Sequence, residues 1–149
     1  MKEVRNDLVE QARFQADLEE LIKASDFVKK TMLSAGCGEK LCRQMDIVVE
    51  EIFINIASYA YPQGAAAKPV IIECGRKGNS VYLAFRDKGV AYNPLEKEDP
   101  AIGIVEEMTI GGYGIFMVKN IVDEIEYQYA YEEGENVLRM WKKMDDSSK

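Results

Sequence analysis

Asp46-Ile-Val-Val-Glu-Glu-Ile-Phe-Ile-Asn-Ile-Ala-Ser-Tyr-Ala-Tyr61 is apolar on most sides, yet two polar residues, Glu51 and Asn55, fall within its apolar surface. Four residues apart on a helix of 3.6 residues per turn, they stack on one face at the border of the main apolar stripe. Val48, Ile52, Ile56 and Tyr59 lie on one side of the pair, and Ile47 and Ile54 on the other. Glu50 points about 100° away, nearer Asp46, and is the expected solvent-facing carboxylate. A carboxylate and an amide among Ile and Val cost stability unless something pairs with them. A bound cation with its water meets that need. For Glu51, so does a cap or a nearby Lys or Arg.

Outward from this stretch, helical spacing runs over 39–61 and stops at Pro62-Gln-Gly64. Upstream, Asp17 and Glu20 read as a capping pair, and Leu18, Leu21, Ile22, Val28 and Met32 hold helical spacing until Ala35-Gly36. Residues 7–14 read as a short strand through Leu8, Val9 and Phe14. Downstream, apolar runs at 70–74 and 81–87 flank Arg76-Lys-Gly-Asn79 and predict a hairpin. Residues 89–112 form a long connection with two prolines, of the kind a compact domain carries for a functional reason such as a lid. A helix is predicted over 114–123. A second hairpin, 125–131 with 137–144, turns at Glu132-Glu-Gly-Glu-Asn136, with Ile125, Tyr127, Tyr129 and Tyr131 alternating on one face. The fold expected is α+β, a two-layer sandwich with helices on one face of a mixed, mostly antiparallel sheet. One domain over 1–144 and a disordered tail over 145–149 complete the expectation.

The composition, 47% hydrophobic and 30% charged, is that of a globular protein. A net charge of -7 and a pI near 4.8 exclude nucleic acid and anionic membrane as main partners, because both repel an acidic chain. No apolar run is long enough for a membrane span and no signal-peptide core follows Met1, so a cytoplasmic protein is expected. Cys37, Cys42 and Cys74 fit no zinc spacing, the chain has no histidine, and reduced structural thiols are expected.

Two further features ask for an explanation beside Glu51 and Asn55. Gly111-Gly-Tyr-Gly114 precedes a helical run, where backbone N–H groups and the positive end of the dipole favour phosphate; the same cluster also serves as an ordinary turn. It is neither a P-loop nor a Rossmann turn. Asp87-Lys-Gly89 ends an apolar strand, where Asp87 either begins a turn or stands as a buried acceptor for a base amine.

Taken in order, these stretches resemble the Bergerat-fold ATPases, the superfamily of gyrase, heat-shock chaperone, histidine-kinase and mismatch-repair ATP-binding domains, and more narrowly the anti-sigma factor serine/threonine kinase family. Residues 48–61 are similar to the helical N-box, Asp87-Lys-Gly-Val-Ala-Tyr-Asn-Pro94 to the first glycine box, and Gly111-Gly-Tyr-Gly-Ile-Phe-Met-Val118 with Val122-Asp-Glu124 to the second. The resemblance implies ATP and Mg²⁺ as cofactors. It implies that Glu51 is catalytic and polarises the nucleophile, that Asn55 holds the metal, and that Asp87 takes the adenine amine with Gly89 giving the ring room. Tyr92 joins the nucleotide site, with Asn93 beside it where Phe-Asp is common. Gly111, Gly112 and Gly114 frame the phosphates beneath the loop 95–111. Met108-Thr109 stand where relatives often carry a basic residue, and Tyr59 where many have histidine. The function implied is phosphorylation of a small antagonist protein together with binding of a sigma factor, in a bacterial transcription switch whose family members often dimerise. The alternative is a non-catalytic module whose nucleotide sets its affinity for a signalling protein.

Overall fold

The structure, a computed structural model, describes residues 7–96 and 112–144. The loop expected to form a lid lies mostly outside the described residues, as do Met108-Thr109, Gly111 and the tail 145–149.

Among the described residues five strands form one sheet: β1 (Leu8–Gln15), β2 (Pro69–Lys77), β3 (Ser80–Asp87), β4 (Glu124–Ala130) and β5 (Glu135–Lys143), in the order β1-β2-β3-β5-β4. All of its pairings are antiparallel, in line with the mostly antiparallel sheet expected, and no parallel pair is present among the described residues. Helices α1 (Leu21–Ser34), α2 (Glu39–Tyr59) and α3 (Gly112–Ile121) pack on one face. Short 3-10 turns occupy Leu18–Glu20 and Pro94–Glu96.

Strand alternation explains why the helices choose that face. Val70, Ile72 and Cys74 on β2, Val81, Leu83 and Phe85 on β3, and Leu138 and Met140 on β5 point to one side and are buried. They meet Val28 and Met32 from α1, and Met45, Val49, Ile52 and Phe53 from α2. Full burial of each large side chain contributes about 1.5–3 kcal/mol, so the layer contact dominates the stability of the fold. The register sets Asp87 opposite Asn136 on this same inner face, at the end of the sheet near the α2 terminus.

Several local readings change. Asp17 caps nothing, because its carboxylate pairs with Lys68 Nζ at 2.5 Å; Glu20 instead accepts the Gln15 N–H at 2.9 Å. Helix α2 ends at Tyr59, two residues early, because the Tyr61 hydroxyl is held between the strands: it donates to Pro69 O at 2.5 Å and accepts from Lys88 N at 2.7 Å. Tyr59, expected beside the core residues, is 60% exposed. Helix α3 starts at Gly112 and ends before Asp123, whose N–H donates to Trp141 O and whose carboxylate accepts from Lys143 N. Tyr131 falls in the β4–β5 turn, exposed, and is not part of the inner row of Ile125, Tyr127 and Tyr129. All three cysteines are free thiols.

Candidate functional site

Between α2 and the sheet lies a cavity of about 430 Å³, within the size range of small-molecule sites. Asn55 and Tyr59 contribute from α2, Asp87 from the end of β3, Val90 and Tyr92 from the segment that follows, and Tyr127 and Asn136 from β4 and β5. Ile52, Ile56, Phe85, Ile115 and Leu138 supply apolar walls. Three of the residues singled out from the sequence, Asn55, Asp87 and Tyr92, thus line one cavity.

Asp87 is 7% exposed. Its Oδ1 accepts from Gly89 N at 2.9 Å and from Asn136 Nδ2 at 3.0 Å. Burial raises its pKa above the ordinary aspartate value; the Asn136 and Gly89 donors pull it back, and Glu135 adds to the rise. Among the described residues Oδ2 has no protein donor, so it is the oxygen left for a ligand.

Gly89 also answers a close backbone contact. Val90 N donates to Ala60 O at 2.9 Å, and a β-carbon on Gly89 would stand 2.2 Å from that same carbonyl oxygen. The absent side chain lets the segment after β3 lie against the end of α2.

Glu51 sits one turn back from Asn55, against α3. A β-carbon on Gly114 would stand 2.3 Å from Glu51 Oε1. Both Glu51 and Asn55 are half-buried, and among the described residues neither side chain makes a hydrogen bond. Burial raises the Glu51 pKa, and neighbouring Glu50, exposed as expected, adds to the rise. Gly112 opens α3, with Gly114 inside its first turn, and Gly111 lies outside the described residues.

Asn136 was missed in the sequence, where it reads as the last residue of an acidic turn. The signal was present: two-residue alternation back from Met140 and Leu138 puts an amide on the buried face. In the structure it is 7% exposed and is the most connected polar side chain of the cavity. Tyr127, whose hydroxyl donates to Asn136 Oδ1, was placed on the correct face but given no role. Tyr61, which ties α2 to β2 and Lys88, was likewise given none.

An antiparallel sheet with helices on one face, and a cavity between them holding a buried carboxylate and a free amide, defines a small-ligand-binding α+β sandwich. Residues 14–142 match the histidine kinase-like ATPase domain family, and the chain belongs to that family. It is accordingly an ATP-binding domain. No curated protein matches the chain. Among solved structures it is similar to the crystal structure of the RsbU and RsbW domains of Rv1364c from Mycobacterium tuberculosis, at 10% identity and a TM-score of 0.65. That likeness takes in 93% of this chain and 32% of the other, so the chain spans about a third of the length of that protein. Among the described residues no helix is long and apolar enough to cross a membrane.

Proposed function

We propose that the chain is an ATP-dependent serine/threonine protein kinase of the anti-sigma factor type, which phosphorylates a small antagonist protein and binds a sigma factor. The observation that carries the reading is the half-buried pair Glu51 and Asn55, one turn apart on α2 with no protein partner among the described residues, beside a cavity that ends at Asp87. Polar side chains left unpaired by the protein at the edge of an apolar cavity keep their donors and acceptors available to a ligand. The resemblance of the three motifs, in their order and spacing, to the anti-sigma factor kinase family also supports the reading.

The donor set suits a magnesium nucleotide. Mg²⁺ takes few protein ligands and keeps its waters, and Asn55, which lines the cavity, would supply one oxygen ligand. Among the described residues no cluster of three or more acidic or thiol side chains offers an all-protein cage. When bound, the ion neutralises charge on the phosphates. The residues of the chain do the rest: Asp87 Oδ2 accepts from the exocyclic amine of the base, the apolar walls exclude water, and Glu51 accepts the proton of the attacking hydroxyl. A carboxylate whose pKa is raised by burial is suited to that last role.

The test is labelling of an extract of the source cells with γ-³²P-ATP and added protein. Acid-stable label on serine or threonine of a small protein, present with the wild type and absent with Glu51→Gln, is the expected result. Tight ATP binding with no label on any protein favours the non-catalytic switch and excludes the kinase.

A further inference from the structure

Asn136 spends its entire hydrogen-bonding capacity inside the protein. Its Oδ1 accepts from Tyr92 N at 3.0 Å and from the Tyr127 hydroxyl. Its Nδ2 donates to Val90 O at 2.9 Å and to Asp87 Oδ1 at 3.0 Å, with Gly89 O at 3.3 Å sharing a hydrogen. An amide has two hydrogens and two lone pairs, so nothing remains for a ligand.

The polarity of this network cannot reverse. Tyr92 N–H can only donate and the Val90 and Gly89 carbonyls can only accept, so a flipped amide would set oxygen against oxygen and N–H against N–H. The end of Asn136 that meets Asp87 is therefore a donor. Gly89 N–H, also only a donor, meets the same oxygen. Asp87 Oδ1 receives both, and the carboxylate is held in one orientation with Oδ2 as its remaining acceptor. The same amide ties residues 89–92 down onto β5, so both the acceptor and the wall beside it are fixed by one side chain.

We propose that Asn136 is a positioning residue that makes the cavity selective for a 6-amino purine over a 6-oxo purine, by holding Asp87 so that only an acceptor faces the base. This rests on the nucleotide reading above. A 6-amino group donates to Oδ2, whereas a 6-oxo group sets a carbonyl against a carboxylate and leaves a buried acceptor unpaired. Sites built to hydrogen-bond one such group discriminate strongly against the analogue that lacks it. Without Asn136 the carboxylate and the 89–92 segment are free to shift, and a displaced Asp87 can accept the ring N–H of a 6-oxo base instead.

The experiment is calorimetric measurement of dissociation constants for ATP and ITP, each with Mg²⁺, on the wild type, Asn136→Ala and Asn136→Ser. Wild type is expected to prefer ATP at least tenfold. Asn136→Ala is expected to bring the ITP:ATP ratio of dissociation constants to threefold or less, chiefly by weakening ATP. Asn136→Ser, which keeps one donor for Asp87 Oδ1, is expected to fall between the two, and it carries the test should the alanine variant fail to fold. A variant that weakens both nucleotides by the same factor has lost only structure, and that result overturns the role. So does a wild type that binds both equally. A wild type that binds neither nucleotide removes the nucleotide reading itself, and the selectivity role with it.

Discussion

Glu51 and Gly114 are in contact across the α2–α3 interface, with α3 approaching so closely that a β-carbon on Gly114 would lie 2.3 Å from Glu51 Oε1 and 3.2 Å from Cδ. The carboxylate has its place because α3 carries only hydrogen there. Gly114→Ala must therefore displace the Glu51 side chain, which is long and able to move. Alanine favours a helix over glycine by about 1 kcal/mol, which offsets part of the crowding. The expected outcome is a melting temperature within about 3 °C of wild type and phosphoryl transfer reduced at least tenfold, checked by calorimetry and γ-³²P labelling.

Gly89→Ala makes the opposite forecast. The obstacle at 2.2 Å is the Ala60 carbonyl oxygen, which is backbone and already accepts from Val90 N. Overpacking of this kind costs about 1–3 kcal/mol, or roughly 3–10 °C in Tm for a domain of this size. ATP affinity falls with it, since residues 90–92 line the cavity. A variant that melts with the wild type would show that the segment after β3 does not lie against α2.

Most of the layer architecture was legible in the sequence, because period-two and period-3.6 patterns report directly on which side is buried. Ile125 and Tyr127 mark the inner face of β4 unaided, and Val48, Ile52 and Ile56 that of α2, whereas β3, apolar and buried from Val81 to Phe85, takes its inner face from its pairing. What escaped was set by contacts remote in sequence. Asp17 pairs with Lys68, 51 positions on, so local capping chemistry could not foretell it. Asn136 was hidden because an Asn after Glu-Glu-Gly-Glu has the composition of a turn, and only its partners Asp87, Val90 and Tyr92 reveal it as structural. For Gly89 the resemblance implied room for a ring, and the approach of Ala60, 29 positions earlier, is a contact that local sequence does not report.

Asp87→Asn separates base recognition from scaffold. The new amide oxygen still accepts from Asn136 and Gly89, but the atom facing the cavity becomes a donor, and ATP affinity is expected to fall at least tenfold, about 1.4 kcal/mol. The pH dependence also has a definite sign. Because burial raises the folded carboxyl above its ordinary 3.8, the folded state holds its proton more tightly than the unfolded chain. This group's contribution to stability therefore declines as pH rises from 3.8 through the folded value. Urea unfolding at pH 4.5 and pH 7 should show a smaller loss over that interval in the variant than in wild type.

Glu51→Gln removes a carboxylate whose pKa is raised by burial and by Glu50, so the charged form is disfavoured in the fold. By the same sign, wild type loses stability as pH rises from 4.5 through the folded value, and the variant, which keeps only the contribution of Asp87, loses less. At pH 7 the variant is expected to melt no lower than wild type and to bind ATP with unchanged affinity, while transfer to protein disappears. Loss of ATP binding would contradict the role given to Glu51.

The nucleotide site itself is tested most directly by thermal unfolding of wild type and Asn55→Ala with ATP, each with and without Mg²⁺. A ligand at 100 times its dissociation constant adds about 2.7 kcal/mol, or roughly 5–10 °C here. A magnesium-dependent rise of that size in wild type, lost in Asn55→Ala, is the predicted result; no rise in wild type under either condition would contradict it.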